Sequence, residues 1–137
     1  MKELVGTRVA LWTGRQRELD SVGAVLEGRG CDVRTLNTLE ELRRELEQGG
    51  PDLIVTQACP CCVEWKIILS AESFTKKLPP VVLVTDAFDA DIYLEAMRRG
   101  AFDCVALPLN EIELIRVASR AVETRGWQTR VAEGVHR

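Results

Sequence analysis

No apolar run in this chain approaches the length needed to span a bilayer. The opening residues, MKELVGTRVALWTG, hold only a short apolar stretch broken by Arg8, which argues against a signal peptide. Positive charge is not in excess. The formal net charge is −3, so composition makes no electrostatic case for direct nucleic-acid binding. Histidine is almost absent. His136, next to the last residue, is the only one, and a structural zinc site with four ligands has little to draw on. No Gly-rich phosphate loop follows the first apolar run, only Thr13-Gly14-Arg15, which argues against a binder that cradles phosphates. No internal repeat is visible beyond an alternation of apolar runs and helical patterns.

What is present is an ordinary globular composition, with 46% hydrophobic and 28% charged residues over a 137-residue chain. That length suits one domain and is enough to bury a core. With no leader and no span, the expected location is cytoplasmic. There the five cysteines would stand mostly as reduced thiols rather than as a disulfide framework. No cofactor is expected.

Five strand–helix units can be read along the chain. The strands are expected at residues 9–12, 33–36, 53–55, 81–84 and 104–107, the second partly polar as suits a sheet edge. The first helix, 15–27, places Leu19, Val22 and Leu26 on one stripe, with Gly28 and Gly30 as its stop. Thr38-Leu39-Glu40-Glu41 fits a capping box, and Leu39, Leu42 and Leu46 follow until Gly49-Gly50-Pro51. A third helix is expected at 64–74, entered through an odd loop at 57–62. The fourth, 90–99, carries Ile92, Leu94, Ala96 and Met97. The fifth starts after Asn110, a capping residue, with a buried stripe of Ile112, Ile115, Ala118 or Ser119, and Val122. From Gly126 the pattern fades, giving a domain at 1–125 and a tail at 126–137. Apolar strands alternating with amphipathic helices imply a parallel sheet covered on both faces, an α/β sandwich of three layers.

The stretch PPVVLVTDAFDADIYLEAMRRGAFDCVALPLN, residues 79–110, resembles the C-terminal half of a bacterial response-regulator receiver domain. Gly49-Gly50-Pro51-Asp52-Leu53-Ile54-Val55 resembles the approach to that family's phosphoacceptor strand, and Gly100-Ala101-Phe102-Asp103 the run before its last strand. The likeness covers about residues 7–124. It implies the flavodoxin-like (receiver-like) fold, a five-stranded parallel sheet in the order 2-1-3-4-5, with any site at the carboxyl ends of the strands.

Position by position, the resemblance implies a degenerate phosphorylation site. Thr13 and Gly14 stand where the family has an acidic pair, Gln57 where it has the phosphoacceptor Asp, and Leu107 where it has Lys. Cys104 stands at the aromatic switch position, and only Thr85 matches the family's hydroxyl residue. Gln57 carries no nucleophilic carboxylate and cannot form an acyl phosphate. Mg²⁺ needs carboxylates that Thr13 and Gly14 do not supply. Asp86 is the one acid expected at a strand tip, read as a loop acid or helix cap, and Asp52 lies at the wrong end of its strand. The expectation is a pseudo-receiver: a non-enzymatic, phosphorylation-independent two-component or phosphorelay module. It would meet a protein partner, or itself, through the face of the fourth helix, fifth strand and fifth helix. Tyr93, Arg98, Asp103, Glu113 and Arg120 are the surface candidates there.

Cys59-Pro60-Cys61-Cys62 is the second notable motif. Cys59 and Cys62 have C-x-x-C spacing between a strand and a helix, the context of a redox pair whose thiol the helix N-terminus activates. Simple packing of small thiols in a tight loop, or a metal site, are the other readings. Cys31 and Cys104 are expected on other strands and need not converge. Trp12, Trp65 and Trp127 read as packing residues. Arg116, Arg120, Arg125 and Arg130 read as a solvated helix face that could meet a partner.

Overall fold

The five apolar runs become β1 (Arg8–Trp12), β2 (Asp32–Leu36), β3 (Leu53–Gln57), β4 (Val81–Thr85) and β5 (Asp103–Ala106). Between and after them lie α1 (Leu19–Gly28), α2 (Leu39–Glu47), α3 (Glu64–Leu69), α4 (Ala90–Arg98) and α5 (Glu111–Val135). This computed structural model describes residues 4–12, 19–58, 64–69, 78–86 and 89–135, with side chains described through 124 apart from that of 64.

The sheet order is β2-β1-β3-β4-β5 and every neighbouring pair is parallel, the flavodoxin-like arrangement expected. Parallel neighbours need crossovers, and the helices that make them cover both faces. The central strands β3 and β4 are buried at all five positions each, as their Leu-Ile-Val and Val-Val-Leu-Val runs require. At the β2 edge only Leu36 is buried.

Side chains alternate across the sheet and divide the core in two. Val9, Leu11, Leu53, Val55, Val82, Val84 and Val105 pack with Leu19, Val22 and Leu26 of α1 and with Leu114, Ile115 and Ala118 of α5. On the other face Ala10, Trp12, Ile54 and Leu83 pack with Leu42 of α2, Trp65 and Ile68 of α3, and Ile92 and Ala96 of α4.

Helix ends follow local chemistry. Thr38 Oγ1 accepts the Glu41 N–H at 3.1 Å, the first half of the capping box. The second half differs, since the Glu41 carboxylate accepts the Thr38 hydroxyl at 3.2 Å instead of reaching back to an N–H. Asn110 Oδ1 accepts the Glu113 N–H at 3.0 Å, as a cap of α5 should. α4 closes on Gly100, whose φ of +98° lets Ala101 N–H reach Ala96 O at 2.9 Å, a turn that a side chain would strain.

Several expectations are corrected. β3 and β4 run on through Gln57 and Thr85, so both are strand residues, while β5 stops at Ala106 and leaves Leu107 just beyond it. Gly28 is the last residue of α1 rather than its stop. Ile112, expected to be buried, is 69% exposed. The inward arc of α5 centres on Leu114, Ala118 and Ala121, so Ile112 falls on its flank. Leu94 and Met97 of α4 are also exposed. Finally, α5 continues to Val135, so most of the expected tail is helix. Backbone hydrogen bonding can carry a helix onward after its apolar stripe ends, which a burial pattern does not register.

Candidate functional site

The carboxyl ends of β1, β3 and β4 bring Trp12, Gln57 and Thr85 to one rim of the sheet. Trp12 pairs with Thr56, and Gln57 with Val84. Polar contacts stitch this rim together. Thr56 Oγ1 donates to Trp12 O at 2.8 Å, Ala58 N–H to Val84 O at 2.9 Å and Leu107 N–H to Thr85 O at 2.7 Å.

Gln57 is 6% exposed, and its Nε2 donates to Asp86 Oδ1 at 3.0 Å. Its Oε1 is buried and meets no donor among the described residues. The position that the sequence reading assigns to a phosphoacceptor therefore holds a neutral amide in a rigid strand. Asp86 is exposed and is taken up as that amide's acceptor. It is not the helix cap. Asp89 caps α4, its Oδ1 accepting the Asp91 and Ile92 N–H groups at 2.9 and 3.1 Å. Thr85 is buried at the end of β4. Leu107 is half-buried and packs onto the core layer shared with α1 and α5. A hydrocarbon in that place cannot steady a phosphoryl oxygen. Asp52 lies at the opposite end of β3, where its Oδ2 accepts Arg8 N–H at 2.9 Å.

Thr13, Gly14, Cys59 and Cys62 lie outside the described residues. Among the described residues no three His, Cys, Asp or Glu side chains gather as a metal site would require, and no helix is long and apolar enough to cross a membrane. Cys31 and Cys104 do not converge. Cys31 is buried beside Leu4, donating to its carbonyl at 3.6 Å, whereas Cys104 is half-buried on β5. Trp12 and Trp65 are buried packing residues, as expected, each with an indole N–H that finds no acceptor among the described residues.

Burial, and then the neighbouring Asp103 carboxylate, push the Cys104 thiol up to about 11. The thiolate is the nucleophile, so folded protein should resist alkylation at Cys104 at about pH 8.5, the ordinary cysteine value. Peptide mapping after alkylation should show Cys104 labelled only as pH nears 11, and at the ordinary pH once the chain is unfolded. Labelling of folded protein at neutral pH would contradict this.

The sequence reading missed two features. One is the Gln57–Asp86 bond; its only signal was that a donor and an acceptor end adjacent strands. The other is a set of exposed apolar side chains. Leu94 and Met97 on α4, and Ile112 on α5, lie exposed on the helices either side of β5, whose outer edge has no neighbouring strand. An open groove of about 440 Å³ between β5 and α5 is lined by Asp103, Cys104, Ile112, Glu113, Arg116 and Arg120. Asp103 and Arg120 pair across it at 3.6 Å.

No protein-family model matches the chain, and no curated protein matches it. Solved structures do. NtrX from Brucella abortus, in its complex with ADP, superposes with a TM-score of 0.77 at 20% identity over 94% of this chain and 29% of that one. Full-length FixJ from B. japonicum gives 0.75 at 16% identity, over 88% of this chain and 60% of that one. A response regulator from Thermotoga maritima gives 0.72 at 18% identity, over 87% and 99% respectively. At these identities the likeness is one of fold: a five-stranded parallel α/β domain of the kind found in response-regulator receivers. The chain spans less than a third of NtrX, 29% of its length.

Proposed function

We propose that this chain is a pseudo-receiver, a phosphorylation-independent and non-enzymatic module of a bacterial, cytoplasmic two-component or phosphorelay system. The observation that carries this reading is Gln57. It sits buried at the tip of β3 with its amide committed to Asp86, on a fold shared with receivers. A neutral amide is no acceptor for a phosphoryl group, and Leu107 adds no cation. Output then comes from a surface held in one state, read by contact with a protein partner or a second copy of the chain.

The α4–β5–α5 face suits that role. Leu94 and Ile112 are 55% and 69% exposed, and charged residues of both signs, Glu113, Arg116 and Arg120, lie beside Ile112. Apolar anchors within a mixed-charge rim are how protein interfaces are commonly built. Leu94→Asp combined with Ile112→Asp should weaken partner binding or self-association by about tenfold or more, while leaving the denaturation midpoint nearly unchanged because both side chains are already in water. Sedimentation and pull-down measurements on the double variant test this. Unchanged association would show that the face is the wrong one.

A further inference from the structure

α4 is lightly anchored. Of its side chains only Ile92 and Ala96 are buried, and Leu94 and Met97 stand exposed. Its placement therefore depends on the ties at its ends and flank. Gly100 closes its C-terminus, and Lys66 of α3 pairs with Glu95 at 3.0 Å. At its N-terminus, Asp89 caps the helix, and Asp86 is the residue that follows β4. Asp86 in turn accepts the Gln57 amide of β3.

We propose that the Gln57–Asp86 bond is a fixed latch that ties the residue following β4 to the tip of β3 and so restrains the N-terminal end of α4. The proposal deepens the pseudo-receiver reading and rests on it: a non-covalent contact stands where a reversible covalent one would act. Three observations support it. Gln57 is buried in a fully buried strand, so its amide cannot wander. Its orientation is dictated by its partner, because a flipped amide would turn Oε1 onto the Asp86 carboxylate. And among the described residues Oε1 meets no donor, so the contact its side chain makes there is the one to Asp86. A bond to a charged acceptor is among the stronger neutral-donor contacts available.

Amide hydrogen exchange read across α4 and across α2 tests the latch, with no phosphodonor present. Gln57→Leu and Asp86→Ala should each speed exchange in α4 by about tenfold or more, as loss of one hydrogen bond to a charged group implies, and leave α2 unchanged. The double variant should be no faster than either single one, because both remove the same contact. Asp86→Asn keeps an acceptor oxygen but loses the charge, so its rate should fall between those of the parent and Asp86→Ala. Unchanged exchange in α4, equal acceleration in α2, or additive effects in the double variant would each overturn the proposal. A phosphoryl adduct on the parent protein would instead overturn the pseudo-receiver reading and leave the exchange result standing, so the two failures are distinguishable.

Discussion

Trp65→Ala is expected to cost about 3–5 kcal/mol, a large share of the roughly 5–15 kcal/mol that holds a domain of this kind together. Trp65 opens the packing of α3 and is 1% exposed, with Ile54, Ile68 and Leu83 in the same core cluster. Truncation leaves a cavity walled by strands and helices that cannot all close on it. Trp65→Phe should cost far less than that. It keeps an aromatic ring and removes an indole N–H that is buried without an acceptor, and relief of that unmade bond, about 1–3 kcal/mol, offsets much of the lost packing. Denaturant titration with an unchanged slope would read both values. A Trp65→Phe cost as large as that of Trp65→Ala would contradict both the packing role of the ring and the unpartnered indole N–H.

Gln57→Glu should produce the other large effect, and one that depends on pH. The new carboxyl would be almost as buried as the amide it replaces and would face the Asp86 carboxylate instead of donating to it. Desolvation first, and the like charge second, raise its folded pKa above the unfolded value of about 4.3. With a rise of about 2–3 units, the folded variant binds a proton that the unfolded chain has released between about pH 4.3 and pH 7, so stability falls as pH rises through that window. The loss at neutral pH is about 2.5–3.5 kcal/mol, and it fades as pH falls below about 4, where both states become protonated. Gln57→Leu, which removes the orphaned Oε1 together with the bond, should show a small loss with no such window. A Gln57→Glu variant as stable as the parent at pH 7 would place this side chain in water rather than in the strand.

The fold was legible because the strands announce themselves. Leu53-Ile54-Val55 and Val81-Val82-Leu83-Val84 are apolar at every position, as only strands covered on both faces need to be. Leu19, Val22 and Leu26 gave α1 its inner face correctly, and Thr38 gave the start of α2. The fifth helix was read less well. Ile112 looks apolar enough to be core, yet which arc of a helix turns inward is set by how it docks on the sheet, and that is not written in helical spacing alone. The stretch after Gly126 has no apolar stripe in its sequence and so looked like a tail, although its backbone stays helical to Val135.

At the site, the identities of Gln57 and Leu107 are the ground on which a pseudo-receiver is proposed. The contact that Gln57 makes was not legible, because Gln57 and Asp86 are far apart in sequence and meet only through the parallel register of β3 with β4. Asp89 rather than Asp86 caps α4 for a related reason: the capping geometry belongs to the residue just before the first turn, and Asp86 is already engaged by Gln57. Thr13, Gly14 and the Cys59–Cys62 pair lie outside the described residues, so the redox reading of those thiols keeps the standing the sequence alone lends it.

The most direct test of the central claim is incubation of the intact protein with acetyl phosphate and Mg²⁺, followed by mass measurement under conditions that preserve acyl phosphates. With Gln57 in place of a carboxylate and Leu107 in place of a cation, the mass should not change. A gain of one phosphoryl group on the folded protein would contradict the account.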